Sequence, residues 1–142
     1  MDTYESLGFL LNRASHALAK ALRIVLERYA VDLPHSQFVM LRLLYYKDGL
    51  SQQEIAALLC KDAAAIKRTI DNLKKRGLVE RVHVSKAKNS IHITRQGRLL
   101  MSELLKHVDE VLVPLLNGID ADEYEIAIRF LRCIYENSKT IE

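Results

Sequence analysis

The chain has 142 residues, 49% hydrophobic and 27% charged, with 21 Lys and Arg against 18 Asp and Glu for a formal charge of +3. That suits one soluble globular domain, or one domain with a dimerisation extension, and no apolar run approaches membrane-spanning length. Five Gly and two Pro are too few for a loop-rich β-fold, and six Tyr and three Phe without a Trp leave no visible stacking platform for single strands.

In chain order, a first helix is predicted over about residues 4–30. Leu7, Leu11, Ala14, Leu18, Leu22, Val25 and Tyr29 recur at steps of three and four, and Leu10, Ala17, Ala21 and Leu26 widen the stripe. So broad a face has more to bury than a small globule covers, so part of it is expected in a dimer interface. A second helix follows Pro34 over about 35–46, with Phe38, Met40, Leu41, Leu43 and Leu44 inside. Asp48-Gly49 signals a turn. Ser51-Gln52-Gln53-Glu54 has the form of a capping box opening a short third helix through Leu59. Cys60-Lys61 breaks it. Asp62 caps a fourth helix over 62–76, with Ile66, Ile70 and Leu73 buried and Gly77 as the left-handed residue beyond its end.

A β-hairpin is expected next, Leu78–Val84 and Ile91–Thr94 around the loop Ser85–Ser90. Val82, Val84, Ile91 and Ile93 form its packed set, and Arg81, His83 and His92 alternate with them. That alternation puts His83 and His92 on one face. Thr94 opens a long helix over about 95–116, to be bent or loosened by Pro114 and ended by Gly118. Asp120 and Glu123 form a second cap-like pair before a last helix over about 121–138, on which Cys133 reads as packing. The fold class is therefore mostly α with a small β-hairpin wing. It comprises a winged helix-turn-helix core at 35–98 and a helical dimerisation region at 1–30 and 99–142, together one domain over 1–142.

Charge is segregated on this framework. Residues 61–98 hold eleven Lys and Arg against Asp62, Asp71 and Glu80, a formal +8, which leaves −5 on the rest. Such segregation is the footprint of a nucleic-acid reader. The fourth helix, second of a helix-turn-helix, shows Ala63, Ala64, Lys67, Arg68, Asp71, Lys74 and Lys75 outward. Small residues at its start allow close approach to a groove, and the planar fork of Arg68 matches a guanine edge. Taken singly, this helix also reads as a solvated amphipathic helix kept soluble by its lysines. Lys86 and Lys88 make the hairpin loop basic as well. The DNA-contacting set is Ser51, Asp62, Ala63, Ala64, Ala65, Lys67, Arg68, Asn72, Lys75, Arg81, Lys86, Lys88 and Asn89.

The chain resembles the MarR family of bacterial winged helix-turn-helix transcription regulators. The likeness is carried by Leu33-Pro34-His35-Ser36-Gln37-Phe38-Val39-Met40-Leu41, Leu50-Ser51-Gln52-Gln53-Glu54-Ile55-Ala56, Ile70-Asp71-Asn72-Leu73-Lys74-Lys75-Arg76-Gly77-Leu78-Val79-Glu80-Arg81 and Ile93-Thr94-Arg95-Gln96-Gly97, in order. The resemblance implies a homodimer with its first, fifth and sixth helices interlocked; the dimer residues expected are Leu7, Leu10, Leu11, Leu112, Leu115, Leu116, Leu131 and Ile134. It also implies binding of double-stranded DNA at a palindromic operator, repression by default, and a cytoplasmic, nucleoid-associated bacterial protein with no membrane partner. Three departures stand out. The family's wing Asp-x-Arg falls near Ser85 and Ala87, so Lys86 or Lys88 replaces the Arg; Ala63-Ala64-Ala65 occupies the start of the recognition helix, where hydroxyls are common; and Cys60 stands where the turn often has Gly.

Family members often bind small aromatic or anionic effectors between the dimer helices and the DNA-binding lobe. The corresponding candidates are His16, Lys20, Arg23, Met40, Tyr45 and His107, each of which also reads as an ordinary surface or core residue. Other members sense oxidants through a thiol. Cys60, beside Lys61, is the redox candidate, although a lone cysteine in a turn is more often inert. Both cysteines are expected free in a reducing cytosol. The histidines lack metal-ligand spacing, and no cofactor is called for. The start of the chain lacks the basic-then-apolar order of a signal peptide. Two alternatives stay open: a winged-helix protein working through protein–protein contacts and, more remotely, an enzyme, for which no Ser/His/Asp arrangement, paired carboxylate or phosphate loop is readable.

Overall fold

The computed structural model describes residues 4–85 and 88–141. Among these described residues, six helices and three strands follow one another: α1 (Leu7–Arg28), α2 (His35–Tyr46), β1 (Leu50–Ser51), α3 (Gln52–Leu59), α4 (Ala63–Lys75), β2 (Val79–Ser85), β3 (Lys88–Ile93), α5 (Arg95–Leu115) and α6 (Ala121–Ser138). The protein is thus mostly helical with a small antiparallel sheet of order β1-β3-β2. By its contacts the chain divides into a unit ending at Val111 and a second beginning at Leu112.

Helix starts follow the local chemistry. The Ser6 hydroxyl accepts from the Phe9 N–H and opens α1. In the α3 box the Ser51 hydroxyl accepts from the Glu54 N–H at 3.1 Å, and the Glu54 carboxylate accepts from the Ser51 N–H at 3.3 Å. Asp62 accepts from the Ala65 N–H at 2.7 Å, and Asp120 with Glu123 repeats the full box at α6. Each capped N–H would otherwise be an orphan donor. The Ser51 N–H and then the Ser51 hydroxyl hold the Glu54 carboxyl below the usual carboxylate range; the charges of Lys88 and Lys47 add a smaller effect.

The core of the first unit lies where α2, α3, α4 and the sheet converge. Met40, Leu41, Leu44, Ile55, Ile70, Leu73, Ile91 and Met101 are fully buried there. Two close approaches fix the start of α5 beneath the α4–β2 turn. Gly77, at φ +73°, ends α4, and its carbonyl accepts from the Thr94 hydroxyl at 2.7 Å. The same hydroxyl accepts from the Gly97 N–H at 3.1 Å. Gly97 is glycine because a Cβ there would lie 2.3 Å from the Leu78 carbonyl oxygen.

The hairpin differs from the sequence expectation in three ways. Its strands run on to Ser85 and Lys88, so the expected loop from Ser85 to Ser90 is mostly strand; Lys86 and Ala87 lie outside the described residues. Its packed face is the opposite one on β2. Val79 pairs with Ile93 and Arg81 with Ile91 on the inner face, whereas Val82 and Val84 are 41% and 68% exposed. Arg81 can turn inward because Asp71 of α4 meets it there. Finally, His83 pairs with Asn89 and His92 with Glu80, so the two histidines face opposite sides of the ribbon. A third strand, β1, was also hidden in the sequence: Leu50 and Ser51 pair with Ile91 and Ser90.

Candidate nucleic-acid interface and ligand cavities

Burial of Ile66, Ile70 and Leu73 locks the rotation of α4 about its axis. Ala63, Ala64, Lys67, Arg68, Asn72, Lys74 and Lys75 are consequently exposed, and Ala65 is half-buried. One acid interrupts the cationic face. Asp71 lies 3.5 Å from Lys67 and 3.7 Å from Arg81, whose side chain is only 22% exposed. Lys74 and Lys75 sit in the last turn, where a cation also complements the helix dipole. Arg68 has no such local reason, and among the described residues it has no ion-pair partner. Lys88 is exposed on β3 and Asn89 half-buried. Ser51 and Asp62 are engaged as caps. Gln52 donates to the Ala63 carbonyl at 3.4 Å, and Arg76 donates to the buried Gln37 at 3.1 Å, so both ends of α4 are tied down.

The six effector candidates occupy four places. His16, Lys20 and Arg23 line a cavity of about 430 Å³ over Leu26 and Leu33. Met40 belongs to another, of about 490 Å³, between the start of α2, the α3–α4 turn and α4. Tyr45 meets the Tyr46 ring edge-on and lies under the Arg98 guanidinium. His107 stacks on Tyr29 with ring centroids 3.7 Å apart. The Glu110 carboxylate gathers this last group: it accepts from the Tyr29 hydroxyl, contacts His107 Nδ1 at 3.1 Å and pairs with Arg28 at 3.4 Å. Those bonds, Tyr29 first and His107 second, hold Glu110 below the ordinary carboxylate range, and the Glu110 bond raises the Tyr29 phenol.

Cys60 is exposed and left-handed at φ 52°, ψ 45°, and its thiol donates towards the Ala57 carbonyl at the C-terminal end of α3. Cys133 is exposed in this chain, not packed. Sequence reading also missed a node at Asp48. Its carboxylate accepts from the Ile93 N–H at 2.9 Å and from Arg98 at 3.1 Å, and lies 3.6 Å from His92 Nδ1. Ser90 Oγ is 2.8 Å from His92 Nε2, so Ser90, His92 and Asp48 come together from positions the sequence keeps apart. Both Asp48 oxygens are occupied in clamping the sheet to α5. Asp48-Gly49 read only as a turn because its partners lie more than forty residues on.

The MarR family's sequence profile matches residues 33–86, the stretch from just before α2 into the hairpin. The match to the MarR family is carried by those residues. The proteins and solved structures this chain is similar to are distant in sequence and close in fold. YdgJ, an HTH-type transcriptional regulator of Bacillus subtilis (strain 168), is 26% identical over 112 residues, which span 78% of this chain and 68% of YdgJ. CouR from Rhodococcus jostii RHA1, solved bound to p-coumaroyl-CoA, is 26% identical with a TM-score of 0.80, covering 92% of both chains. A MarR-family regulator from Listeria monocytogenes complexed with 26mer DNA superposes at a TM-score of 0.83 and 21% identity, over 94% of this chain and 89% of that one. Among the described residues, no helix is long and apolar enough to cross a membrane.

Proposed function

We propose that this chain is a MarR-family protein, a homodimeric, sequence-specific binder of double-stranded DNA. It represses transcription from a palindromic operator in the bacterial cytoplasm and is released by a small aromatic or anionic ligand or by oxidation at Cys60. Residues 35–98 form the DNA-binding lobe, and 1–30 with 99–142 the dimerisation region. The observation that carries this reading is Arg68, unpaired among the described residues on the outward face of a helix whose other face is locked in the core. Ala63 and Ala64 beside it let backbone approach a groove; Lys67, Asn72 and Lys75 continue the face, and Lys88 and Asn89 extend it along the wing; Lys86, outside the described residues, is proposed as a further DNA contact.

The dimer reading rests on unburied apolar surface. No residue of the 18-residue α6 is buried, and Leu131 and Ile134 are 43% and 37% exposed on it. On α1, Leu7 and Leu10 stand out at 51% and 44%. Contiguous apolar faces of this kind mark an interface, and a second copy presents the matching face. The effector reading rests on the cationic cavity at His16, Lys20 and Arg23. The MarR-fold structures holding p-coumaroyl-CoA and DNA are consistent with both partners.

A second reading, a winged-helix module for protein partners, draws on the outward Val82 and Val84 and on the neutralising Asp71. Double charge reversal, Arg68→Glu with Lys88→Glu, separates the two. For a DNA binder it should cut duplex affinity by about a hundredfold or more while sedimentation still gives a dimer. Undiminished duplex binding would point to the second reading.

A further inference from the structure

One contact at the Asp48 node plays no part in the clamp. The bonds from Asp48 to the Ile93 N–H and to Arg98 tie the sheet to α5. The 2.8 Å contact between Ser90 Oγ and His92 Nε2 joins two residues of one strand and ties nothing further together. With His92 Nδ1 lying 3.6 Å from Asp48 Oδ2, it completes a chain of hydroxyl, imidazole and carboxylate. Such a chain is recognised by geometry and roles, not by the order of its members in sequence. Its parts are held from both sides. The Ile93 N–H fixes the Asp48 carboxylate. A Cβ at Gly49 would lie 3.1 Å from His92 Cε1, so glycine leaves the ring its place. Ser90 and His92 are only half-buried, on the outward face of the sheet, where a small reagent reaches both.

We propose that Ser90 is a nucleophile that takes acyl groups from small aryl esters, with His92 as its base and Asp48 orienting the imidazole. Ser90 Oγ attacks the ester carbonyl, a new Oγ–C bond forms, and the hydroxyl proton passes to His92 Nε2. The carbonyl C–O bond to the phenolate breaks, and the phenolate leaves with that proton. Water, deprotonated by the same nitrogen, then cleaves the Ser90 ester, which releases the carboxylic acid and restores the hydroxyl. The imidazolium formed on the way has the Asp48 carboxylate at Nδ1 and Glu80 across from it in the register, against the Arg98 guanidinium. Val82 stands across from Ser90 on β2 and is 41% exposed, an apolar rest for the acyl or aryl group. On the other side Ser90 pairs with Ser51, the N-cap of α3, so the positive end of that helix dipole adjoins the nucleophile. The site uses neither Arg68 nor any other residue of α4, so it stands apart from the DNA-binding reading.

The test is incubation of the full chain with para-nitrophenyl acetate. Release of para-nitrophenolate is followed by absorbance, and the acetyl group is located by peptide mass spectrometry after an acid quench. A burst followed by slower turnover is expected, with the acetyl on Ser90. Ser90→Ala should abolish the burst. His92→Gln keeps a hydrogen-bond partner for the hydroxyl but removes the base, and should slow the burst by about a hundredfold. Ser102→Ala, at an exposed serine of α5, should match the native chain. Circular dichroism of each variant reports whether it folds. The positioning role of Asp48 is read from nitrogen-15 spectra of the neutral imidazole: His92 should carry its proton on Nδ1 in the native chain and on Nε2 in Asp48→Asn. The proposal is overturned if the acetyl sits on lysines or His83 and not on Ser90, if Ser90→Ala keeps the burst, if folded His92→Gln reacts at the native rate, or if His92 of the native chain carries its proton on Nε2.

Discussion

Gly97→Ala adds one methyl where α5 touches the α4–β2 turn. The new Cβ would lie 2.3 Å from the Leu78 carbonyl oxygen and 2.8 Å from Ile93 Cγ1. A relaxed carbon–oxygen contact needs about 1 Å more than that. Neither neighbour yields freely. Leu78 O accepts from the Thr94 N–H at 3.0 Å, and Ile93 is 5% exposed in the core. Relief therefore means moving the first turn of α5 away and weakening the Thr94 links to Leu78 and Gly77. Overpacking costs about 1–3 kcal/mol, and two weakened hydrogen bonds add about 1 kcal/mol each. Replacing glycine inside a helix returns about 1 kcal/mol, leaving a net loss of about 2–4 kcal/mol. Urea unfolding at fixed protein concentration reads this directly; with a slope of about 2 kcal/mol/M the midpoint should fall by about 1–2 M. Gly8→Ala is the internal contrast, because nothing lies within 4 Å of its would-be Cβ. A loss under about 0.5 kcal/mol at Gly97, or a gain like that expected at Gly8, would refute the packing argument.

Cys60→Gly should raise stability by about 0.5–1 kcal/mol, since φ 52° suits glycine better than any side chain; a lower urea midpoint would contradict the left-handed conformation. Asp71→Asn frees Lys67 and Arg81 at a stability cost below about 1 kcal/mol, and duplex affinity should rise with a steeper salt dependence; unchanged affinity would remove this helix face from the interface. The depressed carboxyl of Glu110 stabilises the fold above the ordinary carboxylate pKa of about 4.3, and that contribution disappears as pH falls through the lower folded value. The raised Tyr29 phenol contributes below its ordinary pKa of about 10, and its contribution disappears as pH rises through the higher folded value. The difference in midpoint between the native chain and Glu110→Gln should therefore shrink on acidification below about pH 4, and a constant difference would rule the linkage out.

What could be read from the chain alone was whatever neighbours in sequence decide. Both capping boxes, the Asp62 cap, the left-handed Gly77 and the order of all six helices rest on contacts three or four residues apart, and they stand where expected. What escaped needed partners far along the chain. Alternation divides β2 into two faces but does not say which one is inside. Arg81 goes in because Asp71, on another element, supplies its counter-charge, and Val82 and Val84 are left outside. The register that separates His83 from His92 is set across the hairpin, with an irregularity between His83 and Ser85. The two-residue β1 is overlaid by the capping signal of α3. At the candidate site, the outward face of α4 follows from its apolar stripe, whereas the cavity joining His35, Lys61 and Arg68 comes from three separate segments and has no local signal.

Selection of bound fragments from random duplexes by the purified full chain at low salt is the most direct trial of the central claim. An inverted repeat with half-sites about one helical turn apart, ~34–36 Å, is the expected result. Its affinity should fall steeply as salt rises, because neutralised phosphates release counterions. Absence of enrichment at low salt, from protein that is folded and dimeric, would contradict it.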